Sequence, residues 1–537
     1  MVNKKSGNLV SAAIILGIAS LLSRVVGLVR ERVFTTTFGA GDTFDAFLAA
    51  FRVPDLIFNL IVIGALSAAF IPLFTDKLVN GGRKAKEEAH EFASAVLTSI
   101  LLVVGVLSLL YAIIAPWIVP IITPGFTGDK LALTVMLSRI MALQPILLGL
   151  SFVFSGILNS YKKFLAYALA PVIYNIGIIF GVLFLVPWMG VAGLGVGVVI
   201  GAFLHMLVQL PSVLGLGYRV RFSFLSSRKD VVALWRMMIP RMFGLAAQQV
   251  NLIVVTVIGS NLVTGSITAF HLANNIQYVP VGIFGLAFAQ AAFPTLAEQY
   301  SRKQKQAFIT TLTKSFRYIL FFVIPVSLYF YMLRSQIVRV LFGDGAFDWE
   351  DTFLTFETFG FLLVSVFAQA TIPLLARAFY VQQDTKTPVI ISFLSIVLNV
   401  VLALFLSPVY GVQGLAIAFS ASAIVNLMML LGVLHWQLGE FRDKEVLISL
   451  VRISFATIIG AIALQFLKYP IASVVNMQMF WGVASQMAGT FIGGVIVYLL
   501  VCWMLGSDEL VALRKYLPKK AKLPSGMETP RFGGLLE

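Results

Sequence analysis

The chain is built from apolar runs of roughly 18 to 30 residues joined by short polar loops, and no other feature restricts its folding as tightly. As a helix, a run of that length crosses a hydrocarbon layer about 30 Å thick, whereas a membrane strand needs only about ten alternating residues. Inside lipid the backbone must satisfy its own hydrogen bonds, which leaves helices for runs this long. Charged residues make up 12% of the chain and hydrophobic ones 59%, with a mean hydropathy of +0.94. Soluble domains carry about 25% charged residues. The sequence therefore predicts an all-α polytopic membrane protein.

A net charge of +15 would suit a nucleic-acid partner, but its placement excludes one. The basic residues sit in short loops between spans, where the positive-inside rule puts them. Cys502 is the only cysteine and falls inside the last apolar run, so no disulfide framework exists. The N-terminal basic and apolar stretch has no small-residue cleavage site ahead of a soluble domain, and we read it as a retained first helix. The economical parse has about fourteen spans: 8–36, 43–75, 88–120, 131–158, 165–187, 190–215, 231–260, 265–297, 307–342, 351–380, 387–407, 411–437, 447–468 and 479–506. Loops holding Lys77, Lys162, Arg228, Arg302 and Lys386 fall on one side; the other has Lys130, Lys468 and an acidic loop from Asp344 to Asp351. The basic side is expected to be cytoplasmic and to hold both termini.

The chain also repeats itself at a spacing of about 220 residues. Pro187-Trp188-Met189-Gly190-Val191-Ala192-Gly193-Leu194 is echoed by Pro408-Val409-Tyr410-Gly411-Val412-Gln413-Gly414-Leu415, and Ser23-Arg24-Val25-Val26-Gly27-Leu28 by Pro240-Arg241-Met242-Phe243-Gly244-Leu245. Six spans per repeat is an even number, so the halves insert in the same orientation, as parallel repeats about an axis along the membrane normal. The expected organisation is a lobe over 1–230, a pseudo-twofold partner over 231–440, two appended helices over 441–506 and a basic cytoplasmic tail over 507–537. Such pairs of lobes commonly enclose a central cavity and work by alternating access.

The stretch Ser23 to Phe70 is where that cavity's chemistry concentrates. Arg24, Arg30, Glu31, Arg32, Asp45, Arg52 and Asp55 fall on two consecutive spans. A charge within a bilayer costs at least a few kcal/mol, so several together imply a polar cavity, and leading arginines imply an anionic occupant. Arg24 and Arg30 are six residues apart and project about 120° from each other, so both can line a wide cavity. Arg32 reads as an interfacial charge at the outer helix end. Asp45 and Asp55 either neutralise arginines or gate. Gly27 and Pro54 interrupt helical regularity and could serve as hinges or as packing sites. No P-loop, metal-ligand spacing or nucleophile–base set appears. A transporter without ATP hydrolysis or cofactor is expected, driven by an ion gradient or the membrane potential. An embedded glycosyltransferase would want clustered aspartates and a sizeable extramembrane loop; the acidic loop from Asp344 to Asp351 reads instead as solvated.

The opening SRVVGLVRERVFTTTFGAGDTFDAFLAAFRVPD, with Phe379-Tyr380-Val381-Gln382-Gln383-Asp384-Thr385-Lys386-Thr387-Pro388 and Ile157-Leu158-Asn159 before Ala170-Pro171, resembles the MurJ (MviN) family of lipid II flippases, over all fourteen spans. That resemblance implies a bacterial inner-membrane protein of the superfamily of multidrug and oligosaccharidyl-lipid exporters. Lipid II and membrane lipids would be its partners, with a monovalent ion as a possible third. Exporters of O-antigen-type lipids or of drugs are the alternatives. It implies that Arg24, Arg30 and Arg52 hold the pyrophosphate, with Ser23, Asp45, Asp55, Arg241, His271, Asn274 and Asn275 as polar or gating residues. Phe58-Asn59 and Ala273-Asn274-Asn275 stand where the family usually has further arginines, which would shift phosphate binding toward Arg52, Arg241 or His271. The seventh span has no carboxylate, so an ion site would rest on neutral oxygens such as those of Asn251, Thr256 and Asn399.

Overall fold

The computed structural model describes residues 2–63, 69–80, 84–223, 228–439 and 442–514, with side chains described except at 2–14, 62–63, 228, 240–241, 243–248 and 513–514. Among the described residues every regular element is helical. We number the main helices in chain order. α1 is Val2–Phe38; α2 is Asp42–Ile57, continued by a π-helical turn, Phe58–Ile63; α3 is Ala85–Ile122. α4 comprises Gly128–Met141 and Gln144–Ser160. α5 is Phe164–Phe180, with a π turn at Gly181–Leu185, and α6 is Ala192–Leu207. α7 is Arg228–Gly259. α8 runs Ser266–Pro280, then a π turn at Val281–Leu286, then Ala287–Ser301. α9 is Lys305–Met332, and α10 is Trp349–Leu363 with Val366–Val381. The segment Lys386–Leu438 holds α11 (386–410) and α12 (412–438), broken at Gly411, whose φ of +59° is left-handed. α13 is Asp443–Val474, α14 Phe480–Met504 and α15 Asp508–Arg514.

Length and apolarity qualify nine of the described helices to cross a membrane, or ten with the pair in α10, whose halves are bent by 46°. Lys386–Leu438 is one of them and carries two expected crossings. Of the remaining expected crossings, α1 and α7 lie partly outside the described side chains, and the regular part of α2 is 16 residues long.

The π turns in α2 and α8 stand at matching places, the same distance apart as the sequence echoes. Each widens the backbone next to regular α-helix, a feature common at functional sites. Proline interrupts the same helices, at Pro54 in α2 and Pro280 in α8. α5 and α6 cross on glycine. A Cβ on Gly177 would lie 2.3 Å from Gly201 Cα, and one on Gly181 2.6 Å from Gly197 Cα. Backbone contact of this kind is how lipid-embedded helices gain van der Waals packing without a hydrophobic driving force.

The motif at 379–388 is a turn and a cap. Gln383 takes φ +62°, and the Asp384 carboxylate accepts from the backbone N–H of Lys386 and Thr387 at 3.1 and 3.0 Å. Those bonds, with the Thr387 hydroxyl, hold the Asp384 carboxyl below the ordinary carboxylate range. The expected tail starts as structure: α15 docks on α9 and α13. Arg317 donates to Glu509 at 2.7 Å and to Asp508 at 2.9 Å, and Ser449 donates to Glu509 at 2.6 Å. Burial pushes the Glu509 carboxyl up, but the Ser449 and Ser507 hydroxyls and Arg317 outweigh it and leave the group below its usual value.

Candidate functional site

Charged side chains of α1 and α2 meet polar ones of α4, α5 and α8 around a cavity of about 300 Å³. Arg30, Glu31, Arg52, Asp55, Gln144, Tyr174 and His271 line it, with phenylalanines above them. Arg30 pairs with the adjacent Glu31 and donates to Asn175 Oδ1 at 3.0 Å. Glu31 is 4% exposed and also lies 3.4 Å from His271 Nε2. Asn275 Nδ2 is 3.0 Å from that same imidazole nitrogen. Arg52 donates from Nε to Thr256 Oγ1 at 2.7 Å, which links α2 to α7. Asp55 is held by Gln144 Nε2 at 3.4 Å. Gln144 Oε1 and Tyr174 Oη are buried without a partner among the described residues, which is costly unless a ligand or water answers them.

Above the cavity the rings of Phe34, Phe44, Phe47 and Phe51 form a ceiling, with Phe34 and Phe47 4.6 Å apart. The α1–α2 turn then closes that end. Asp45 is 2% exposed and accepts from Gly265 N (2.8 Å), Thr268 N (2.9 Å) and Thr268 Oγ1 (2.8 Å) at the start of α8. Lys130 of α4 bridges Asp42 and Asp45 at 2.7 and 3.1 Å. Gly265 has φ +86°, and a Cβ there would sit 2.2 Å from Ala40 O, so the α1–α2 turn and the start of α8 touch backbone to backbone. Asp351 accepts from Ala40 N at 2.7 Å, and Ala346 N donates to Thr36 O at 2.9 Å. The acidic segment is thus not merely solvated, as its composition suggests; it docks on the α1–α2 turn. Arg32 is at the helix end as expected, donating to Val340 O and to Asp344 at 2.7 and 3.2 Å.

The expected residues do not all converge. Arg30, Arg52, Asp55 and His271 share the cavity wall, with Asn275 bonded to His271. Asn274 instead accepts from Gln277, which bonds Gln369 of α10. Asp45 neutralises Lys130 rather than an arginine. Arg24 and Ser23 lie outside the cavity lining, where Arg24 is exposed with its guanidinium against Gly282 in the α8 π turn; an added Cβ there would meet Nη1 at 3.0 Å. The Arg241 side chain lies outside the described residues. Of the neutral oxygens, Thr256 is engaged by Arg52, whereas Asn251 and Asn399 bond each other across α7 and α11. The described residues contain no group of three or more His, Cys, Asp or Glu able to hold a metal. The sequence reading counted Glu31 among the charges of the cavity stretch without giving it a role, and passed over Gln144, Tyr174 and Asn175. Glu31 was the detectable one, because adjacent residues on a helix project about 100° apart. If Arg30 faces inward, its neighbour can still border a wide cavity.

Fold and cavity together define a polytopic helical transporter of the exporter type. A multidrug resistance MATE family transporter of the MOP superfamily, in an inward-facing conformation, superposes with a TM-score of 0.63 at 15% identity, over 80% of this chain and 99% of that one. A lipid II flippase MurJ in an inward closed conformation gives 0.76 at 24% identity, over 92% and 99%. The chain belongs to the lipid II flippase MurJ family, whose profile matches residues 34–500. The probable lipid II flippase MurJ of Vibrio cholerae serotype O1 is 31% identical over 525 residues, covering 93% of this chain and 97% of that one.

Proposed function

We propose that this chain carries lipid II from the inner to the outer leaflet of a bacterial cytoplasmic membrane by alternating access between two lobes, 1–230 and 231–440, without ATP hydrolysis. Both termini lie in the cytoplasm in this reading, and the sealed α1–α2 end faces out. The observation that carries it is the arginine-bearing cavity beneath that seal, in a member of the flippase family. A lipid diphosphate needs a polar, cationic path, and arginine stays ionised there while gripping phosphate with two parallel donors.

A cavity of about 300 Å³ is at the small end for even a drug-sized ligand. A disaccharide-pentapeptide is larger, so this geometry is a contracted one that widens to load. Arg24, nearer the other end and exposed, meets the diphosphate first; Arg30 takes it after leaving Glu31; Arg52 gives up Thr256 to complete the grip. Asp45 keeps the outer end shut meanwhile. The test is rescue of a bacterium depleted of its own flippase, scoring growth and outer-leaflet lipid II. The chain is expected to restore both, and Arg24→Ala to restore neither at equal membrane expression. Good expression without rescue by the unaltered chain would point to another lipid-linked oligosaccharide.

A further inference from the structure

The lipid-facing side of α3 and α4 carries an arginine with an unusual anchorage. Arg139 is exposed, eleven residues below the start of α4, which places it about 17 Å down the helix. α4 is 33 residues long in all, about 50 Å, so roughly 10 Å overhangs the hydrocarbon at each end. Arg139 is then several ångströms inside the hydrocarbon. Side chains lean toward the N-terminus of their helix, which for α4 is the end nearest the α1–α2 turn.

One of its five N–H groups is spoken for. Pro116 in α3 has no N–H to give the carbonyl four residues back, and that carbonyl, Ala112 O, accepts from Arg139 Nε at 3.1 Å. The four N–H groups of the two terminal nitrogens have no protein acceptor among the described residues. Beside them runs a groove of about 590 Å³ lined by Pro116, Leu131, Val135 and Met136, with no carboxylate in its wall. A guanidinium held at that depth by its own backbone bond needs an anion that can live in a membrane.

We infer that this face is a binding site for an anionic phospholipid of the leaflet on the α1–α2 turn side. The lipid phosphate takes the two terminal nitrogens of Arg139 in the bidentate fork, and an acyl chain lies in the groove. Ala112 O and Pro116 aim the fork; they do not touch the lipid phosphate.

The test is native mass spectrometry of the full chain in detergent, titrated with phosphatidylglycerol, with phosphatidylcholine and inorganic phosphate as separate arms. The unaltered chain is expected to retain one more phosphatidylglycerol than Arg139→Gln, with about a tenfold difference in affinity for it. Equal retention by the two overturns the proposal. Equal retention of phosphatidylcholine by the unaltered chain removes the requirement for net charge, and displacement of the bound lipid by inorganic phosphate at equal concentration makes the site one for small anions; either result overturns it. If Arg139→Gln does not fold, Arg139→Lys keeps the charge without the fork and is expected to weaken retention several-fold. Unchanged retention there overturns the proposal equally. Pro116→Ala returns a backbone donor to Ala112 O and is expected to loosen the lipid while leaving flippase rescue intact.

Discussion

An arginine paired with a buried carboxylate does not bind phosphate until that carboxylate lets go, and Arg30 stands in that relation to Glu31. In the proposed grip, Glu31 is therefore the resting-state competitor of the diphosphate. Replacing it by glutamine keeps the volume and the hydrogen bond but removes the competing charge. Glu31→Gln is expected to bind a polyprenyl diphosphate about tenfold more tightly and to release it more slowly, so that rescue weakens while binding improves. Fluorescence titration with the lipid checks the first half; unchanged or weaker binding removes Glu31 from the competition. Little of this was legible in the sequence. The charges of α1 and α2 announce a cavity, because so many on two consecutive spans are costly in lipid. Partner choice depends on rotation and depth across different helices. That is why Glu31 was given no role of its own, and why Asp45 was read beside arginines when its partners are Lys130 and the first turn of α8.

Among elements, the α5–α6 crossing makes the sharpest demand on side-chain size. Gly197 faces Gly181 so closely that any Cβ must push the helices apart, whereas Gly432 in α12 has nothing within 4 Å of an added Cβ. Gly197→Val is expected to lower the melting temperature of the detergent-solubilised protein, by the equivalent of about 1–3 kcal/mol of overpacking, and to reduce membrane yield. Gly432→Val should leave both near the original. Equal effects at the two positions would mean the crossing is not under that constraint. At this scale the sequence was informative: run lengths located the helices, the boundary expected between spans 351–380 and 387–407 falls at the turn and cap of 379–388, and the echoes at about 220 residues find a counterpart in paired π turns. What it hid were the π turns, which have no composition of their own; the break at Gly411, by contrast, falls where the parse divides spans 387–407 and 411–437.

The molecule as a whole has two ends, and the proposed orientation puts them on opposite sides of the membrane. Cys502 is buried and is the only cysteine, so an introduced thiol reports without background. Asp129→Cys at the head of α4 is expected to react with an impermeant maleimide added to whole cells, and Lys163→Cys, before α5, only after permeabilisation. Labelling of both from outside would overturn the parse. A last consequence belongs to the cavity's charge balance. Arg30 and Arg52 face Glu31 and Asp55, so the formal charges on its wall cancel. An empty carrier that resets with this wall moves no net charge, while a loaded one takes the diphosphate's two negative charges outward. The cycle is then expected to be electrogenic, with an inside-negative potential driving it forward by about 2.3 kcal/mol per charge for each 100 mV, or nearly 5 kcal/mol for two charges at 100 mV. Collapsing the potential with valinomycin and potassium, with the pH gradient held, is expected to stall lipid II at the inner leaflet; continued flipping would show that a compensating cation travels with it.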